Sequence, residues 1–209
     1  MHKGNPSLAV EMVRQASLAG ADIAKFQLGH DPKDPLRYVG PDMGETIANA
    51  CSHYGVEFMA SIFSLDGLKQ ARDLGMKRYK IAHQKADDEA LVEAILADGN
   101  DTFVSGTLRW KYPHVHPIWV SPHYPTYAWD FDAPTLYQDW FGYSDHTHGI
   151  GACLLAVARG AKYIEKHFCL DKTDLSVRDT PFSATPCEFA ALVRYGKEIE
   201  QVRHGSNDA

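Results

Sequence analysis

Apolar residues along the chain switch between two spacings. Over residues 6–20, Leu8, Ala9, Met12, Val13 and Ala16 recur every three or four positions and the run stops at Gly20, which predicts a helix. Residues 21–28, ADIAKFQL, are a short, mainly apolar run and read as a buried strand. The exchange then repeats: helix near 43–54 closed by Gly55, strand 56–61, helix 64–75 ending at Gly75, strand 77–82, acidic amphipathic helix 87–98, strand 102–106. There the rhythm breaks. RWKYPHV is too short and Pro-rich for a helix, HPIWVS at 116–121 reads as a strand, and 122–139 reads as loop with at most one helical turn. A strand at 140–145, a helix over 149–160 and a strand at 162–168 follow. After a loop at 171–185 comes a last helix, with Thr185 as N-cap and Pro186 in its first position.

Strand–helix–strand units with short links make parallel strands with helices outside, an α/β fold. Seven strands are counted, where a (β/α)8 barrel of the TIM type needs eight. The expectation is therefore a reduced barrel, lacking its first strand and one outer helix. The length of 209 residues agrees, being short of the roughly 250 typical of such barrels. An open doubly wound sheet is disfavoured, because no GxGxxG follows the first strand and no Walker-type loop occurs. No linker divides the chain, so residues 1–209 are read as one domain.

Charge removes some function classes. Lys and Arg number 21 against 27 Asp and Glu, a net charge of −6, unlike a basic nucleic-acid surface. No apolar run approaches the ~20 residues that span a bilayer, so neither nucleic acid nor membrane is an expected partner. Without a secretory-type N-terminal segment, and with Cys51, Cys153, Cys169 and Cys187 in no CxxC spacing, the expected location is the cytoplasm.

In a barrel, chemistry sits at the C-terminal ends of the strands. His146 and His167 each lie at such an end with one helix between them, so adjacent parallel strands bring them to one rim. Alternation puts Ser144 on the face of His146, and Glu165 on the face of His167. Two imidazoles of this kind suit Mn²⁺, Zn²⁺ or Fe²⁺ and leave positions for water and substrate. Lys25 (with Gln27 facing the same way) and Lys80 sit inside apolar strands and suggest a phosphate or carboxylate site, with Ser61 and Ser105 as hydroxyl donors. Tyr124 is read equally as functional or as turn material. His114, His116 and His123 are expected to be exposed loop histidines.

GYSDHT at 142–147, then GACLLAVARGAKYIEKHFCLDK at 151–172, resembles the sialic acid synthase family. AGADIAKFQ at 19–27, FMASIFS at 58–64, YKIA at 79–82 and the spacing of Asp179 and Ser183 extend the resemblance over nearly the whole chain. It implies condensation of phosphoenolpyruvate with N-acetylmannosamine or a related N-acyl amino sugar. It also implies a divalent metal, Mn²⁺ first with Mg²⁺ or Co²⁺ as alternatives, on His146 and His167. Lys25, Gln27, Ser61, Lys80, Ser105 and Ser144 would bind phosphoenolpyruvate. Tyr124 would lie in the sugar site, and His146, His167, Lys80 and Tyr124 would be the catalytic group. The sequence departs from the pattern in places. The first-strand glutamate has no counterpart, Lys85 and His83 stand for a glutamate and a serine, and Pro122 stands for an asparagine or serine. The C-terminal antifreeze-like domain has no counterpart either. A second reading is thus a homologue that binds a sugar or phosphorylated ligand without turnover. Exposed strand edges at 21–28 and 162–168 suggest a homodimer.

Overall fold

In the computed structural model, which describes residues 2–121, 123–173 and 177–205, seven parallel strands form one sheet in the order of the chain. They are β1 (Ile23–Leu28), β2 (Glu57–Ile62), β3 (Arg78–Ile81), β4 (Asp101–Ser105), β5 (Val115–Val120), β6 (Gly142–Asp145) and β7 (Tyr163–Lys166). The helices are α1 (Pro6–Leu18), α2 (Pro41–Tyr54), α3 (Leu65–Asp73), α4 (Glu89–Leu96), α5 (Gly151–Ala158) and α6 (Pro186–His204). This is the reduced TIM-type barrel expected, with β1 and β7 as unjoined edges. The predicted elements all occur, with ends shifted by no more than two residues. The 106–114 link has no helix, as expected. The link from β5 to β6 adds a second gap: among its described residues it holds only a 3-10 turn, Ala128–Asp130.

Alternation along the strands sorts side chains into an outer and an inner face. The outer set, including Ala24, Leu28, Ala60, Ile62, Tyr79, Ile81 and Val104, packs against α1 to α4 residues such as Val13, Ile47, Leu68 and Ile95 in one large core. The inner set divides by height. At the bottom Met59, Phe103 and Ile118 close the interior with Ile23, Phe141 and Tyr163. One layer up, the inner positions are polar on every strand but β5, which places Val120 there; the polar ones are Lys25, Ser61, Lys80, Ser105, Ser144 and Glu165. Within this layer Ser61 lies opposite Lys80 and Ser144 opposite Glu165 in the register of the sheet. Gly142 opens β6 because a Cβ there would collide with the carbonyl of Tyr163 on β7.

One reading is corrected. His116 is not an exposed loop residue but a β5 residue inside the bottom layer. Its Nε2 meets Asp101 Oδ1 at 3.1 Å and its ring lies 5.1 Å from that of Phe103 and 4.6 Å from that of Phe141. The apolar residue after it in alternation, Ile118, should have placed it there. His114 is half-buried, and His123 is exposed as expected.

The edges face each other across a cleft of about 430 Å³. It runs from Lys25, Glu165 and His167 down to Met12 and Val13 of α1 and Leu192 of α6. No helix of the described residues is long and apolar enough to cross a membrane.

Candidate functional site

Each polar residue of the upper layer has a partner across the sheet. Lys25 Nζ donates to Ser61 Oγ at 3.1 Å, and Lys80 Nζ to Ser105 Oγ at 2.5 Å. Ser144 Oγ donates to Glu165 Oε1 at 2.9 Å, and Tyr163 OH to Glu165 Oε2 at 3.2 Å. The same carboxylate lies 3.8 Å from Lys25 Nζ and 3.5 Å from Lys80 Nζ. Gln27 accepts at Oε1 from His30 Nε2 at 2.9 Å, in the tautomer that protonates this nitrogen. Gly106 ends β4 at φ +81°, and a Cβ there would strike the His83 ring, so the turn after Ser105 needs glycine.

Glu165 is the centre of this cluster and was not among the predicted site residues. Its alternation with His167 was the available signal. Burial favours its protonated form, but Lys25 and Lys80 outweigh that and hold its carboxyl well below the usual carboxylate range. Lys80, with a side chain only 2% exposed, is pushed down to about 8 by burial, with Glu165 opposing. Two ammonium groups thus share one carboxylate in a mostly desolvated place. That imbalance favours a further anion.

Beside it stands the predicted histidine pair. The rings of His146 and His167 have centroids 5.3 Å apart. Burial lowers His146 to about 4 and His167 to about 3, the latter helped by His146, so both are neutral donors at pH 7. His146 Nδ1 is 3.4 Å from the Ser121 carbonyl, and His167 Nδ1 is 3.5 Å from Asp179 Oδ2. An oxygen beside each Nδ1 suits the tautomer that leaves Nε2 free as a ligand. The donor set therefore fits a divalent ion of intermediate softness. Among the described residues no group of three or more His, Cys, Asp or Glu side chains converges as a metal site would need.

Tyr124 belongs to this place: its ring stacks on His146 at 3.8 Å, with Phe182 6.1 Å away. Burial pushes its phenol up, so it stays a hydrogen-bond donor at neutral pH. Lys85 pairs with Asp88 at 3.1 Å, and Pro122 lies outside the described residues. All nine predicted site residues lie on the upper inner layer, the C-terminal strand ends or the loops they enter.

A model of the NeuB family matches residues 38–108 and 133–208. Pseudaminic acid synthase of Campylobacter jejuni subsp. jejuni is 26% identical, over 95% of this chain and 71% of its own. N-acetylneuraminate-9-phosphate synthase of Homo sapiens is 26% identical, over 96% and 68%. Among solved structures, the N-acetylneuraminic acid (sialic acid) synthetase of Leptospira borgpetersenii serovar Hardjo-bovis, in complex with citrate, superposes with a TM-score of 0.85 at 25% identity. The match covers 97% of this chain and 81% of that one.

Proposed function

The chain belongs to the NeuB family, and from that premise we propose that it condenses phosphoenolpyruvate with the open-chain aldehyde of an N-acyl amino sugar, releasing phosphate and a sialic-acid-type nonulosonic acid. The observation that carries the reading is the paired-lysine cluster around Glu165 beside two neutral imidazoles.

Lys25 and Lys80 hold the phosphate and carboxylate of phosphoenolpyruvate, and the hydroxyls of Ser61, Ser105 and Ser144 add neutral donors. Gln27 faces the same ligand. His146 and His167 would hold a divalent ion, Mn²⁺ before Mg²⁺ or Co²⁺, whose contribution is Lewis-acid polarisation of the acceptor aldehyde. Tyr124, packed on His146, lines the acceptor side.

In the reaction the nucleophilic methylene carbon of phosphoenolpyruvate forms a bond to the aldehyde carbon, and the aldehyde oxygen takes a proton to become a hydroxyl. The electron deficit left on the former C2 is filled by water, which gives up a proton. Phosphate departs with the bond it held to C2, leaving the 2-keto acid. Atoms balance as one water consumed and one phosphate released, with no covalent enzyme intermediate.

The two curated relatives carry names of different acids, so the acceptor is tested as a panel. Protein, Mn²⁺, phosphoenolpyruvate and a series of N-acyl mannosamines and their amino-sugar analogues should release phosphate with at least one acceptor. Tight phosphoenolpyruvate binding without product from any of them would replace the synthase reading with the second one, a ligand-binding homologue without turnover. That second reading draws on Lys85, a cation where the resemblance expects a glutamate. Metal has a separate test: His146→Ala and His167→Ala should each strip bound Mn²⁺, and unchanged content in both would refute the two-histidine site.

A further inference from the structure

We propose that Lys166 and Asp145, a buried ion pair on the outer face of the sheet, are positioning residues that fix the separation of His146 and His167. Neither partner points into the site. Alternation sends both outward from β6 and β7, and each immediately precedes one of the histidines. Their side chains are fully buried, with Lys166 Nζ 2.5 Å from Asp145 Oδ2.

The pair is tied to the backbone of Thr147, the residue that follows His146. Lys166 Nζ also donates to the Thr147 carbonyl at 2.5 Å. Asp145 accepts from the Thr147 amide at 2.9 Å and from Thr147 Oγ1 at 3.2 Å. Tyr143 OH donates to Asp145 at 2.7 Å and Cys153 Sγ at 3.2 Å, anchoring the carboxylate to β6 and α5. One ammonium therefore grips the residue before His146 and the residue after it, while its own backbone leads directly into His167. Register places the two residues opposite each other, Asp145 against Lys166. The strand ends cannot slide or splay without breaking a contact in a place where water cannot replace it. A buried ion pair is seldom worth much in stability over an apolar pair of the same volume, so its use here is geometric: it makes one arrangement of two imidazoles.

The inference takes the metal role of the histidines from the proposed function, and its test separates the two. Lys166→Met leaves a buried carboxylate unpaired and should lower the melting temperature. The double variant Asp145→Asn/Lys166→Met removes both charges and should recover most of that loss. Its Mn²⁺ dissociation constant, read by calorimetry, should nevertheless stay at least about tenfold weaker than wild type, the order seen when a supporting partner of a ligand is lost. A control in the α4 core, Ile95→Ala, should lose stability yet keep Mn²⁺ affinity. Mn²⁺ affinity that recovers together with stability in the double variant would overturn the proposal. If the double variant does not fold, Asp145→Leu/Lys166→Met, which likewise removes both charges, carries the same comparison. If wild type itself binds no Mn²⁺, the metal reading fails and ring separation in a crystal structure of the metal-free variant decides. A shift beyond about 0.5 Å, the tolerance of a working site, supports positioning, and unmoved rings refute it.

Discussion

Lys80 carries opposite pH effects on stability and on ligand binding. Its ammonium is buried between Ser105 and Glu165, and burial brings it from 10.5 to about 8. Between pH 8 and 10.5 the unfolded chain keeps a proton that the folded one has lost, so this group makes the fold more stable as pH rises through that window. An anionic ligand prefers the ammonium, so its affinity moves the other way. Phosphoenolpyruvate should bind roughly tenfold more weakly at pH 9.5 than at pH 7, the scale of one charge-assisted hydrogen bond. Lys80→Met should bind weakly at both. Titration calorimetry checks this, and a wild-type dissociation constant flat across the range would remove Lys80 from the binding site. Lys25 and Lys80 could be read from sequence because an ammonium inside a short apolar strand has few bland explanations. Glu165 stands in the run the sequence marks, on the face of His167, but its role is not legible there, since it comes from cations on β1 and β3, far away in the chain. Asp145 and Lys166 stand in the same Ser144–Thr147 and Glu165–His167 runs that the sequence marks, but their pairing is not legible there. Nothing local tells an outward buried ion pair from an ordinary charged rim.

At the scale of elements, local chemistry and tertiary pairing can be told apart at α6. Thr185 Oγ1 accepts from the Glu188 amide at 3.4 Å while Glu188 Oε2 accepts from the Thr185 amide at 2.8 Å, a reciprocal cap. Lys172 adds a contact to Glu188 at 2.6 Å. Thr185→Ala should cost about 1 kcal/mol, lowering the melting temperature by roughly 2–4 °C in a chain of this size. Phosphoenolpyruvate affinity should not change, because the cap lies outside the lysine cluster. A loss of binding without loss of stability would contradict that separation. Thr185-Pro186 was legible because caps are written in adjacent residues, and the strands were legible because their apolar runs are bounded by glycines such as Gly20, Gly55 and Gly75. The β5–β6 link was less so. Its aromatic residues Phe131 and Tyr137, with Trp119 of β5, pack on Tyr143 and on Ala152 and Ala156 of α5 without forming a helix of their own, and that compensation depends on contacts no local pattern records.

The whole molecule is a barrel wall with a gap, and alternation decides which backbone groups face it. Glu57 N donates to Asp22 O on the β2 side, so Ala24 and Phe26 share that side while Ile23, Lys25 and Gln27 turn their amides to the gap. On β7, Lys162 N donates to Phe141 O, so Ile164 faces β6 while Tyr163 and Glu165 face the gap. His167 continues that gap-facing series, and its carbonyl is taken by the Ala184 amide, so the loop before α6 covers only the top of the edge. Below it the sheet ends, and an uncovered edge invites pairing with another chain. In a monomer, amides of Lys25, Gln27, Tyr163 and Glu165 should exchange with solvent deuterium at least about tenfold faster than those of Ala24, Phe26 and Ile164, because only the second set is locked in the ladder. Residue-resolved exchange by NMR, run beside light scattering at two protein concentrations, reads both possibilities. Equal protection in a species of twice the monomer mass would place a second copy across the gap, the homodimer expected from the edges. Equal protection in a monomer would contradict the open edge itself.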